Sequence, residues 1–204
     1  PATVYAPGET AKRIIRVVNR MHDRVEGHAP DGAAYRANEP ALLNWVQATV
    51  SFGFMEAYAT FVRPFTNAER DRFYKDSEPV ARLFGATGAP FSLNEQKQQF
   101  EAMRPGLEDH PIVHEFLDIM TKTPALPIFM RPLQTMMLRA GVSLLPDWAQ
   151  ERLNLRTKWR LRNWERALLK RLGAMFDRLP IRNTPPVQAC QRLGLSSTYL
   201  YRKR

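Results

Sequence analysis

Apolar residues recur along this chain at intervals of three and four. Nowhere do they alternate with polar ones in the Val-, Ile- and Thr-rich runs that announce a strand. The pattern predicts an all-α fold, a multi-helix globular bundle punctuated by proline and glycine. A first helix starts near Glu9 and Thr10 and runs to Glu26, where Gly27 and the loop carrying Pro30 and Gly32 stop it. A second extends from about Glu39 to Val62 and is closed by Pro64. Thr66 with Glu69, and Ser92 with Glu95, have capping-box spacing, in which a hydroxyl accepts from an orphan backbone donor and the acid three positions on reciprocates. They open the third and fourth helices, with Gly85 to Pro90 between them and Pro105 to Pro111 ending the fourth. Further helices are expected at 112–122, 128–140, 147–153 and 156–177, and two short ones after Pro186.

The faces of these helices sharpen the picture. With successive residues about 100° apart, Ala11, Ile14, Ile15, Val18, Met21 and Val25 share one arc, while Arg13, Arg16, Arg20 and Arg24 lie opposite as a solvated stripe. His22 falls inside the apolar arc. Its imidazole must find a hydrogen-bond partner in the core or ligate something, because an unpaired buried polar group costs about 1–3 kcal/mol. A satisfied core histidine is the commoner case, and periodicity leaves both open. The second helix is apolar nearly all round, from Leu42 through Trp45, Val46, Val50 and Phe54 to Phe61, which predicts burial at the centre of the fold. Asn44, Gln47, Ser51 and Tyr58 run along one line of it, either edging an internal pocket or forming a polar seam satisfied by neighbours and buried water. In the 156–177 helix, Leu161, Trp164, Leu168, Leu172 and Phe176 form a stripe expected to bury against a core.

The whole composition, 44% hydrophobic and 25% charged over 204 residues, is that of a soluble globular protein, here expected to form one helical domain with a basic C-terminal segment at 151–204. The longest uncharged stretch, Pro40 to Met55, holds 16 residues, fewer than the roughly 20 a bilayer span needs. The net charge of +10 is unevenly placed. Residues 1–150 carry 16 Lys and Arg against 17 Asp and Glu, whereas residues 151–204 carry 14 against 3. Such a block is a solvated face or a polyanion-binding one, for anionic lipid or nucleic acid. The lone Cys190 excludes an internal disulfide and a CxxC pair and fits a reducing compartment, so a cytoplasmic protein, peripheral to a membrane at most, is expected.

Most catalytic signatures are missing: there is no GxGxxG, P-loop, GxSxG or HExxH. His110 and His114 have a metal-clamping spacing, but Pro111 puts the first at a helix start and no zincin acid stands beside it. Glu108 with Asp109, and Glu115 with Asp118, read as first-turn acids and a solvated face. Cys190 reads as structural. The C-terminal TPPVQACQRLGLSSTYLYRKR has a helix-turn-helix look, with Gly194 as the turn and arginines that could meet phosphates, a short pattern that makes nucleic acid an outside expectation.

Four blocks in order carry more information than any of these motifs: MHDRVEG from Met21, GAAYRANEPALLNWVQAT from Gly32, RPFTNAERDRFYKD from Arg63 and LLPDWAQERLNL from Leu144. Together they resemble the MpaB and latex-clearing rubber oxygenase family over roughly residues 9–155. The resemblance implies an all-helical, globin-related core holding a b-type haem, an apolar and in some members isoprenoid substrate, and dioxygen as co-substrate. The family's proximal histidine maps onto His22, which makes a metal-ligand role for this imidazole the leading expectation. The Asn19 amide or a carbonyl would orient the ring, Arg20, Arg24 or Arg36 would meet the haem propionates, and Gln47 or Thr49 would face dioxygen or substrate. This chain departs from the pattern at Gln47, where many relatives have histidine. It also has Asn19 and Glu26 where rubber-cleaving members flank the proximal histidine with arginine, so rubber itself is not the expected substrate. Their distal arginine–threonine pair would map ahead of Pro1. The competing expectations are a haem-free helical binding protein of the same fold and a DNA-binding protein using the basic segment.

Overall fold

The computed structural model describes residues 2–29 and 32–201. Among them the helices are α1 (Ala2–Tyr5), α2 (Gly8–His22), α3 (Pro40–Phe61), α4 (Asn67–Leu83), α5 (Leu93–Met103), α6 (Pro111–Lys122), α7 (Arg131–Val142), α8 (Asp147–Arg152), α9 (Asn163–Phe176) and α10 (Pro185–Arg192). Single 3-10 turns lie at Arg104–Gly106, Ile128–Met130 and Tyr199–Tyr201. The helical class is the one the periodicity predicts.

One correction concerns the residues after α2. The helix stops at His22, and Glu26–His28 (β1) pairs antiparallel with Ala34–Arg36 (β2), in the register Glu26↔Arg36, Gly27↔Tyr35 and His28↔Ala34. Strands of three residues are too short to display a period of two, so nothing in the pattern announced them. The Tyr35 ring lies close over Gly27, where a Cβ would come within 3.0 Å of its hydroxyl.

A second correction concerns 156–177, where the helix begins only at Asn163. The preceding residues turn inward instead, burying Leu155, Trp159 and Leu161. An acid three positions beyond the first residue outside the helix fixes the start point: the Glu165 carboxylate accepts from the Arg162 backbone N–H at 2.8 Å. Both expected cap sites also form. Thr66 and Glu69 make a full reciprocal capping box, while at Ser92 the hydroxyl accepts from Glu95 N at 3.2 Å and the Glu95 carboxylate reaches Phe91 N instead.

The chain divides into two compact units. The first comprises 1–51, 65–96 and 175–204, and the second 52–64 and 97–174. In the first, Ala81, Ala86 and Ala89 pack with Leu43. The turn that lets this happen follows α4, where Gly85 adopts φ +88°, a left-handed conformation open to glycine. Elsewhere in the same unit α10 buries Val187, Ala189 and Cys190 and packs on α1, and Arg192 donates to the Tyr5 carbonyl at 2.6 Å. Burial there, with Tyr201 and Cys190 beside it, pushes the Tyr5 phenol up. The expected helix-turn-helix is therefore reduced to α10 and one 3-10 turn, and α10 spends its apolar face on α1. Arg202, Lys203 and Arg204 lie outside the described residues.

The second unit is built on Leu117, Val142, Leu153, Leu155 and Trp159, and on Met136, Ala140 and Leu161 with Phe61, Leu133 and Leu169 around them. Among the described residues no helix is long and apolar enough to cross a membrane.

Candidate functional site

On α2 the apolar arc separates into two lines. Ala11 and Ile15 are buried, with Val18, Asn19 and His22 half-buried below them, while Ile14, Val17 and Met21, followed beyond the helix by Val25, remain exposed. His22 occupies the last position of the helix. Its ring makes no hydrogen bond or ion pair among the described residues, so the satisfied-core reading of this imidazole finds no partner. Asn19, one turn earlier, donates from Nδ2 to the Leu83 carbonyl at 3.0 Å, and its Oδ1 is buried without a partner. The Asn19 amide nitrogen is thus anchored to the end of α4 and is not spent on the ring. The His22 ring, one turn after Asn19 with its orphaned buried oxygen, is thus free to take a ligand next to the exposed apolar line of α2.

The same end of α4 organises α3. Asn44 Oδ1 accepts from Gly88 N at 2.8 Å, and Leu43 lies against Gly85 and the alanine cluster. Gln47 Nε2 donates to the buried Ser51 hydroxyl at 3.0 Å, and the Thr49 hydroxyl donates back to the Val46 carbonyl at 2.9 Å. The line of Asn44, Gln47 and Ser51 is therefore satisfied as a polar seam, with Gln47 Oε1 left over as an acceptor. Tyr58, further along α3, has the Arg63 guanidinium 6.0 Å from its ring centre. The expected burial of α3 on all sides is corrected: Val46 (54% exposed), Val50 (45%) and Phe54 (69%) leave one apolar stripe uncovered. A helix whose composition is apolar all round says nothing of which side its neighbours reach.

The three candidate cations stand differently. Arg20 and Arg24 are exposed and Arg36 is exposed beside Glu26, 3.7 Å away across the hairpin. The histidines with metal spacing are otherwise employed: His110 Nδ1 accepts from Ile112 N at 3.2 Å as the cap of α6, and His114 Nε2 lies 2.7 Å from Asp109 Oδ1. Among the described residues no cluster of three or more His, Cys, Asp or Glu side chains is arranged to hold a metal ion; a single-histidine anchor is a different arrangement. Asp118, expected to be a solvated acid, is hydrogen-bonded by Lys158 at 2.9 Å, and that bond holds its carboxyl below the usual range.

The expected buried stripe of the last long helix is the largest correction. Leu161 is buried and Leu172 half-buried, but Trp164 (56%), Leu168 (38%) and Phe176 (51%) are exposed. The buried residue on α9 is Glu165, held by Arg139 at 2.8 Å. Next to the start of α9 the second unit also holds a groove of about 630 Å³ that sequence reading missed, because its arginines looked like dispersed surface charge.

Residues 2–178 match the family model described as "ER-bound oxygenase mpaB/B'/Rubber oxygenase, catalytic domain". No curated protein and no solved structure is similar to the chain at a significant level.

Proposed function

Because this chain belongs to the mpaB and rubber oxygenase catalytic-domain family, whose members are oxygenases, we propose that it is a haem-dependent oxygenase-like protein acting on an apolar substrate, isoprenoid in class, with dioxygen. The observation that supports this reading is the unpartnered His22 ring at the end of α2, the residue onto which the resemblance carries the family's proximal histidine. In the proposal His22 holds a b-type haem through one ring nitrogen, in a helical core of globin-related kind, and the bound group supplies dioxygen activation. The chain's own residues do the rest. Ile14, Met21 and Val25 shield the apolar face and exclude water, Asn19 Oδ1 accepts a hydrogen bond from a nearby donor, and Arg20, Arg24 and Arg36 meet the propionates as charge-assisted donors. Gln47, fixed by Ser51, offers Oε1 or its second amide proton to substrate, whereas the Thr49 hydroxyl proton is already committed to Val46 and leaves only its lone pairs.

The visible spectrum of purified protein reconstituted with haem tests this. A stoichiometric Soret band that is lost or strongly shifted in His22→Ala supports the assignment. An unchanged band in that variant removes His22 as the ligand, and no band in the wild type favours the haem-free binding protein.

The membrane-surface role expected of the basic segment belongs to the same proposal. Trp164 and Leu168 on α9 lie exposed on a stretch that also carries the exposed Arg162, Lys170 and Arg171, a mixture that suits the headgroup boundary of an anionic bilayer. It would bring the protein to a lipophilic substrate.

A further inference from the structure

We propose that the groove beside the start of α9 binds a phosphoryl group, a function that does not depend on the haem reading. Three arginines line it, Arg156, Arg160 and Arg166, against one acid, Asp147. Arg156 is already neutralised: it lies 3.4 Å from Asp147 and is also paired with Glu151. Arg160 and Arg166 have no acidic partner and no side-chain hydrogen bond among the described residues. The nearby Glu165 does not repel an anion from this end of the helix, because its carboxylate is taken up by Arg139 and the Arg162 N–H, each at 2.8 Å.

A second observation is independent of charge. Trp159 lines the groove, is 5% exposed, and its Nε1 is buried with no hydrogen-bond partner. A buried donor left unsatisfied is costly, and an indole nitrogen donates only, so what would satisfy it is an acceptor. Asn163, the first residue of the 14-residue α9, adds an amide and the positive end of the helix to the same lining.

The number of donors selects the ligand. Two free guanidinium forks and an amide, with the unsatisfied indole N–H buried in the groove wall behind them, exceed what the two oxygens of a carboxylate can accept, whereas a phosphoryl group presents three or four. At about 630 Å³ the groove has room for a diphosphate or a phosphate carrying a further group. Such a phosphoryl group is either soluble or the headgroup of a lipid.

The test uses the full chain with two probes: inorganic pyrophosphate, followed through the Trp159 indole N–H signal in NMR, and vesicles of phosphatidylcholine with or without phosphatidic acid. Pyrophosphate should shift the Trp159 signal, and Arg160→Gln with Arg166→Gln should weaken its binding at least about tenfold. Lys97→Gln with Lys122→Gln, which removes two exposed cations outside the groove, should leave it unchanged. If the double variant fails to fold, Arg160→Gln alone, at an exposed position, carries the comparison. Capture on phosphatidic acid vesicles that is lost with the two groove arginines assigns the site to a lipid headgroup; pyrophosphate binding without it assigns a soluble phosphate. An unmoved indole signal, or equal weakening of pyrophosphate binding by the Lys97 and Lys122 changes, overturns the proposal.

Discussion

At the scale of single residues, the most consequential pair is Arg139 and Glu165. Glu165 is 3% exposed and its carboxylate divides its two oxygens between the Arg139 guanidinium and the backbone start of α9. Removing one member of a buried pair leaves the other charged and unsolvated, which costs about 3–5 kcal/mol. Arg139→Leu is therefore expected to lower stability by that order in denaturant unfolding, while Glu165→Gln, which keeps an acceptor for Arg162 N, should cost less. Equal and small effects would mean that water already reaches the carboxylate. The sequence did not reveal this pair, because the two residues are 26 positions apart and Glu165 sat among cations that all looked exposed. His22 was legible by contrast: its place in an apolar arc needed only the spacing of neighbouring residues.

At the scale of elements, close approach and tethering decide. A Cβ added at Gly173 on α9 would lie 2.4 Å from the Phe61 carbonyl at the end of α3. Alanine improves helix propensity by about 1 kcal/mol, but overpacking against backbone costs about 1–3 kcal/mol. Gly173→Ala should thus destabilise the second unit, as a lowered thermal midpoint would report; a raised midpoint would show that the helices separate freely. The bond from Lys158 to Asp118 ties α6 to the segment before α9. Because it depresses the Asp118 pKa, its stabilisation is present above the ordinary carboxylate pKa and is lost as pH falls through the lowered folded value. Lys158→Gln should return the Asp118 carboxyl toward the ordinary range in an NMR titration, and its stability deficit should vanish in acid. A deficit that persists there would belong to the lost contact of Lys158 with the Trp159 ring, 5.6 Å away. Helix starts were readable where a hydroxyl cap stands three residues before an acid, as at Thr66 and Ser92. The start of α9 was not, since Leu155, Trp159 and Leu161 leave helical spacing to reach a core made by α6, α7 and the leucines that flank α8.

At the scale of the whole molecule, the basic quarter is shared between the two units, which meet it at 151–174 and 175–204. Each exposed cation near an anionic surface contributes about 1 kcal/mol, so several acting together should retain the protein on vesicles at near-physiological salt. A randomised DNA pool under the same conditions is expected to yield no enriched motif, because α10 spends its apolar face on α1 and only a 3-10 turn follows it among the described residues. Enrichment of a motif without vesicle binding would move the function toward regulation.

The order of helices, their approximate limits, the histidine on the apolar arc of α2 and the family follow from the sequence alone, because a period near 3.6, a cap three residues away and a run of matched blocks are all local or linear properties. Tertiary structure alone decided which apolar faces are covered. The sides of α3 and α9 that remain open, the hairpin, the orphaned Asn19 oxygen and the arginine groove all depend on contacts such as Asn19 with Leu83 and Asn44 with Gly88, 64 and 44 positions apart. Burial is a property of what the rest of the chain brings alongside, and no periodicity within one element contains it.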